Sequence, residues 1–343
     1  MRDGEWQLGY SGSGPHPACN LTFGRTTSGL YLMADPETKV ADLDDSTTPL
    51  PGEDGVRMGR DYQRTLTVAL ELGVDTVDAP IAGWNYLFPS GGSDAPIGTG
   101  SPQHIAPPPT PERRAMWNME GVSIARTAWR ADAVRRRAGG VAWLRRQSAG
   151  RVRLLYGRPR KFAVVHEKYS RQGFTPLLAD FEAVDDRFYD DTSRQVEMYG
   201  RSNVPPTAWR PGRPQPPQSG AGERLLTGLH VRGRLATHPW ITFHGPGRNY
   251  ELTVDGLWTV QLNVDLDVGQ SVRLDSRSWA RTVVNVKTGA SVADKLSRSS
   301  PLLRDVLLPP GMHTARMRFA RRPGITFVGP RIEIEWRDAH AWW

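Results

Sequence analysis

The stretch VQLNVDLDVGQSVRLDSRSW, Val260 to Trp279, restricts the fold more than any other. Val260, Leu262, Val264, Leu266 and Val268 fall on one side, and Gln261, Asn263, Asp265 and Asp267 on the other. A period of two is what a strand needs when only one face of its sheet is buried, and slipping the register by one residue would drive carboxylates and amides into the core. The pattern predicts a pair of strands turning at Gly269-Gln270. It returns in TARMRF, with Ala315, Met317 and Phe319 inward, and in RIEIEW, with Ile332, Ile334 and Trp336 inward. Thr288-Gly289 and Pro309-Pro310-Gly311 supply further turns. Short antiparallel strands with frequent turns and no long helix between them predict a β-sandwich of about 115 residues.

Upstream the pattern is mixed. QRTLTVALELGV, Gln63 to Val74, places Leu66, Val68, Leu70 and Leu72 on one face of a strand, and VRLLYG and KFAVVHEKY also read as strands. A helix is expected between about Ala115 and Gln147, broken at Gly139 and Gly140. Together these predict an α+β first domain, mostly β and split-barrel-like, with one or two helices. Two Pro/Gly/Ser-rich stretches exclude helix and central strand. Pro89 to Pro111 reads as an excursion within the first domain. Val204 to Gly222, with six prolines, reads as an extended connector. The expected organisation is 1–203, a linker at 204–224, and 225–343. A chain of 343 residues exceeds what one ordinary core organises.

Charge adds one feature. Of 44 basic residues only Lys39, Lys161, Lys168, Lys287 and Lys295 are lysines, a bias that GC-rich codon usage explains as well as nucleic-acid binding does, and the acidic residues are interspersed through most of the chain. Arg130 to Lys161 is denser, with eleven basic residues and one acidic one. Trp129, Val134, Val141, Trp143 and Leu144 recur there at roughly helical intervals, so an amphipathic helix with a solvated arginine face is expected.

Catalytic and metal patterns are weak. GYSGSG at Gly9 has its glycines at the wrong offsets for a nucleophile elbow. His230, His238 and His244 are spaced by eight and six, which fits no helical metal pair. GAGERL and GPGRNY lack the third glycine of a dinucleotide fingerprint. LADFEAVDDRFYDD gathers six carboxylates in fourteen residues, but lacks the central glycine of a calcium loop and reads as a strand and the turn that ends it. Cys19, the single cysteine, permits neither an intrachain disulfide nor a thiolate cage and is expected to be a small buried residue. The first twenty residues lack an apolar signal core and no run of about 18 apolar residues follows, so neither secretion nor membrane insertion is expected. No enzyme activity and no cofactor are expected.

Several stretches taken in order carry a resemblance. HPWITFHGPGRNYELTVDG, LWTVQLNVDLDVGQSVRLDSRSWARTVV with its Leu274-Asp275, LLPPGMHTARMRF with a Leu-Pro-x-Gly turn, and IEIEWRDAHAWW resemble the C-terminal domain of distal tail proteins of bacteriophages with long, non-contractile tails. LPGEDGVRMGRDYQRTLTVALEL and RKFAVVHEKYSRQGFTPLLADFEAVDDRFYDD resemble blocks of that family's N-terminal half. The stretches cover about 190 of the 343 residues. The excursion at 89–111 and the connector at 204–222 depart from a compact version of the family.

The resemblance implies a structural virion protein. The N-terminal domain would close as a hexameric ring continuing the tail tube, and a galectin-like C-terminal sandwich would project outward. Implied partners are further copies of the chain, the tail tube protein, a tail tip or tail-associated lysin protein and a receptor-binding protein, with genomic DNA passing through the bore without specific binding. The implied location is the tail tip of the virion, after synthesis and assembly in the host cytoplasm. A permanent ring needs a repeated heterologous interface, and strand edges around Gln63 to Val74 and Arg151 to Tyr169 are where it is sought. Candidate interface residues are Leu66, Val68, Arg135, Arg136, Arg137 and Arg153. Three other readings stay open. A tail-associated carbohydrate-binding module would use exposed aromatics such as Trp258 and Trp279, which are equally candidate partner contacts. A wall-degrading enzyme would use Asp185 or Asp186, and an arginine-driven nucleic-acid binder would lose affinity steeply with salt.

Overall fold

The computed structural model describes residues 2–24, 29–40, 43–44, 48–49, 54, 56–57, 62–63, 65–75, 110–165, 170–200, 225–320 and 329–343. The connector at 204–222, the excursion up to residue 109 and the segment 166–169 lie outside the described residues. The chain forms two compact units, Met1–Phe188 with Trp343, and Tyr189–Trp342.

In the first unit the strands are β1 (Trp6–Tyr10), β2 (Cys19–Phe23), β3 (Leu30–Leu32), β4 (Glu37–Val40), four two-residue strands β5 (Leu43–Asp44), β6 (Thr48–Pro49), β7 (Val56–Arg57) and β8 (Tyr62–Gln63), β9 (Leu66–Asp75), β10 (Ala142–Ser148), β11 (Arg151–Val164) and β12 (Phe174–Ala183). Their main sheet runs β2-β1-β10-β11-β12-β9-β3, and β4 also pairs with β9. A parallel bridge from Gly24 to Tyr31 joins the two ends of this order, with the Gly24 N–H donating to the Leu30 carbonyl at 3.0 Å. The sheet is therefore nearly closed and barrel-like. Gly24 has φ +111°, and a Cβ there would lie 2.7 Å from the Gly4 carbonyl oxygen, so closure at this point needs glycine.

The alternation expected in β9 is present: Leu66, Val68, Leu70 and Leu72 are all buried. They share a core with Trp6, Leu8, Phe23, Leu144, Leu155, Phe181 and the helix α1 (Pro111–Arg130). Pro111 stands at the first helical position, where its missing N–H costs nothing, and Glu112 and Arg130 suit the two ends of the helix dipole. Asn118, Ile124, Ala125, Ala128 and Trp129 are buried on one face, the spacing of a stripe turned to a sheet.

The helix expectation needs correction. The helix stops at Ala131, which has φ 48° in the left-handed region, and a single turn, α2 (Asp132–Arg135), follows. Residues 142–164 are not helical at all: β10 and β11 form a hairpin from Ala142↔Gly157 to Ser148↔Arg151. Its two-residue turn, Ala149-Gly150, has φ of 51° and 72°, the positive pair of a type I′ turn whose twist matches the strands. Leu144, Leu155 and Gly157 face one way with the period of two of a strand pair, and the Ala-Gly turn joins the two strands as a hairpin.

The second unit carries β14 (Arg194–Tyr199), β15 (Leu225–Val231), β16 (Trp240–His244), β17 (Gly247–Val254), β18 (Trp258–Leu266), β19 (Ser271–Asp275), β20 (Thr282–Asn285), β21 (Gly311–Ala320), β22 (Arg331–Trp336) and β23 (Ala339–His340). Before them, β13 (Phe188–Asp190) spans the point where the units divide. One sheet runs β14-β22-β16-β19-β20 and the other β15-β21-β17-β18. Inward side chains of both, among them Ile241, Phe243, Leu252, Leu262, Leu274, Met317, Ile332 and Ile334, make one cluster. The division between units thus falls earlier than the expected linker, because β14 pairs with β22 from Arg194↔Trp336 to Tyr199↔Arg331 and belongs to the second unit.

A second correction concerns Val260 to Trp279. The alternation is as expected, with Val260, Leu262 and Leu266 buried, and the chain turns at Val268-Gly269 with the Gln270 N–H donating to the Asp267 carbonyl at 3.0 Å. The two strands do not pair. β18 pairs with β17 and β19 with β16 and β20, so the glycine turn carries the chain from one sheet to the other. Both halves are two-faced because each faces the shared core from its own sheet.

Candidate interaction sites

Strand β9 is covered on both edges, by β12 and by the pair β3 and β4, whereas β11 pairs with β10 over residues 151–157 and with β12 over residues 157–164. Leu66 is 2% exposed and Val68 fully buried, so these two expected interface residues point into the core and hold the sheet together. Arg135 is also committed inside its own unit: one terminal guanidinium nitrogen donates to the Pro159 carbonyl at 2.7 Å and the Arg160 carbonyl at 3.1 Å. It ties α2 to the irregular stretch of β11 where the register shifts between Pro159 and Phe162. Arg136 and Arg137 are exposed, and Arg153 is half-buried on the β10–β11 hairpin.

The aromatic candidates separate in the same way. Trp258 is 7% exposed and its indole N–H donates to the Leu307 carbonyl at 2.7 Å, which makes it a core residue of the second unit and removes it as a sugar platform. Trp279 is half-buried beside Tyr189, with ring centroids 6.3 Å apart. The Arg277 guanidinium lies 5.3 Å from the Trp279 ring and 4.5 Å from the Trp240 ring, the geometry of cation–π stacking. Arg277 also donates twice to the buried Asp275 carboxylate, at 2.9 and 2.5 Å. This explains the Leu-Asp pair at the end of β19: Leu274 fills the core while Asp275 anchors the arginine that occupies the space between two tryptophans. Trp240 and Arg277 escaped the sequence reading because their meeting depends on β16 and β19 being neighbours, although the Asp-x-Arg-x-Trp spacing at 275–279 is visible in the chain.

The histidines are not gathered. His230 accepts from Arg232 at 3.4 Å, whereas His244 hydrogen-bonds Ser271 at 2.8 Å and stands 3.4 Å from Glu333. Burial, and then the Arg331 cation, hold the His244 pKa below 6.5 against the opposing pull of Glu333 and Glu197. His244, Glu333, Arg331 and Glu197 lie on paired strands, forming an outward polar row on the five-stranded sheet. Asp185 accepts from the Arg187 N–H at 3.3 Å in the turn after β12, as a structural turn requires. Among the described residues no three His, Cys, Asp or Glu side chains converge in a metal-holding group, and no helix is long and apolar enough to cross a membrane.

No protein-family model and no curated protein matches the chain. Among solved structures it is similar to the SPP1 Dit protein (gp 19.1), described as a paradigm of the hub adsorption apparatus in phages infecting Gram-positive hosts. The TM-score is 0.47 and the identity 11%, over 96% of this chain and 98% of that one. It is also similar to a chain of the phage P2 baseplate in its activated conformation with Ca (TM-score 0.47, identity 8%, 96% and 97% covered) and of the same baseplate with Sr (0.45, 10%, 96% and 97%). These neighbours are hub and baseplate proteins of phage particles.

Proposed function

We propose that this chain is a structural protein of a phage tail, the distal hub at which the tail tube meets the tip. In this reading the first unit assembles by rotation into a hexameric ring continuing the tube, and the second, a galectin-like sandwich, offers its outer surfaces to tip, lysin or receptor-binding components. The DNA passes through the bore unread. The exposed Arg136 and Arg137 belong to the contact between neighbouring copies or with the tube.

One observation carries the reading: the resembling blocks fall in order on successive elements of two separate units. LTVALEL is β9 of the nearly closed sheet, and PLLADFEA lies in β12 beside it. WITFH, YELTV and SVRLD are β16, β17 and β19, the Leu-Pro-x-Gly turn leads into β21, and the closing aromatic strand is β22. A positioning role also suits surfaces made of ordered sheet faces. The experiment is mass measurement of the purified chain in solution and with tube protein added, followed by electron microscopy and antibody labelling of intact particles. A six-fold ring and label at the distal end of the tail are expected. Label at the head, along the tail shaft or absent from particles would overturn the reading.

A further inference from the structure

The core-facing row of the β10–β11 hairpin changes character abruptly. Leu144 opposes Leu155 in the core, the next pair on the same side is Arg146 opposite Arg153, and the last is Ser148 opposite Arg151. Like charges placed directly across a strand pair destabilise it. Apolar or opposite-charge pairs would suit the strand pair better, yet the open end of this row presents Arg146, Arg151 and Arg153 together.

They surround a cavity. Arg146, Ser148, Ala149, Arg151, Arg153 and Trp343 line a space of about 290 Å³, the low end for small-ligand pockets and room for a side chain, not for an extended strand. Among the described residues no carboxylate lines it. Asp3 sits beside the turn, its Oδ1 accepting from the Gly150 N–H at 3.2 Å, and is not part of the wall. The Arg146 guanidinium is held in place by two indoles, 5.2 Å from the Trp6 ring and 5.8 Å from the Trp343 ring. Its Nε is buried and donates to no acceptor among the described residues. Stacking of this kind orients a guanidinium edge and leaves its in-plane donors available.

We propose that this pocket is an anion site that receives a carboxylate side chain from an acidic segment of a partner protein, clasped by Arg146, Arg151 and Arg153 against the Trp343 ring. Planar bidentate pairing is what a fixed guanidinium offers a carboxylate. Nucleic acid is the lesser match, because backbone binding uses a groove that tracks many phosphates, whereas this is a single small pocket. The site goes beyond the hub reading and stands on its own residues.

The test is calorimetric titration of the full chain with a hexaglutamate peptide, inorganic phosphate and an oligothymidylate of about 20 nucleotides, at low and at roughly physiological salt. The peptide is expected to bind and to bind more tightly than the oligonucleotide. Arg151→Gln and Arg153→Gln should each weaken it about tenfold, the effect of losing one charge-assisted hydrogen bond. Arg151 is exposed, so R151Q should melt as the parent does and separates lost binding from lost fold. R298Q/R304Q, which removes two charges from the second unit, should leave affinity within twofold. No peptide binding, equal weakening in R298Q/R304Q, or tighter binding of oligonucleotide or phosphate than of peptide would overturn the proposal. The ring and labelling experiment above is unaffected by any of these outcomes.

Discussion

Trp129, in the last turn of α1, donates its indole N–H to the main-chain carbonyl of Asp180 in β12 at 3.1 Å. Its ring is 1% exposed and stands edge-on to Phe23, with centroids 5.9 Å apart. One side chain therefore joins the helix to strands from opposite parts of the sheet order. Replacing it with phenylalanine keeps most of the apolar contact and removes the hydrogen bond, for a loss of about 1–2 kcal/mol. Trp129→Ala should cost about 3–5 kcal/mol. Denaturant unfolding followed by far-ultraviolet dichroism checks this, and the loss should fall in the transition of the first unit, whose core holds the residue.

Strand identity was legible in the sequence wherever one face is buried and the other wet. β9, β18, β21 and β22 follow their alternation residue by residue. What a period of two cannot reveal is the partner, and this is why Val260–Leu266 and Ser271–Asp275 read as a hairpin although they lie in different sheets. The same limit explains Leu66 and Val68: their alternation identifies a strand, but whether β9 is an edge or an interior strand depends on residues 30–40 returning beside it. At Trp129 to Leu144 the apolar spacing suits both periods, and the left-handed Ala131 that ends the helix is an alanine, which announces nothing in a sequence. The arginine pocket was half visible. The density of basic residues from Arg130 to Lys161 stands out, but which arginines converge follows from the Ala149-Gly150 turn that sets Arg146 against Arg153.

Cys19 tests the packing of β2 from a different direction. It is 3% exposed and burial pushes its thiol up to about 11, partly offset by Tyr10 and the Leu21 backbone. A thiol that is both neutral and enclosed is unreactive, because the thiolate is the nucleophile. The native protein should therefore resist an aromatic disulfide reagent at about pH 8 and react fully in denaturant, slowed in the native state by about a hundredfold or more. Rapid native labelling would show that β2 opens readily at the end of the sheet.

His244 makes the second unit sensitive to acid. Burial, followed by Arg331, depresses its pKa below 6.5 in the fold, so the unfolded chain binds the proton more readily. Stability is then complete at pH values above about 6.5 and falls as pH drops through that value towards the lower folded pKa. Melting temperature measured from about pH 7.5 to pH 5 should decline less steeply in His244→Gln than in the parent. Parallel curves would mean that the imidazole is solvated in both states.

The turn that builds the arginine pocket is itself improvable. Ala149 has φ 51°, in the left-handed region where a Cβ is disfavoured, and Gly150 follows at 72°. Asparagine tolerates that conformation far better, and Asn-Gly is the preferred pair for a two-residue type I′ turn. Ala149→Asn should therefore stabilise the first unit by about 0.5–1 kcal/mol, read as a rise of about 1–4 °C in its melting temperature. Because Ala149 also lines the cavity between Arg146 and Arg151, the added amide places a neutral donor and acceptor at its rim. Hexaglutamate affinity should change by less than threefold if the guanidiniums hold the carboxylate. A stabilised turn with binding lost would instead assign recognition to the turn backbone.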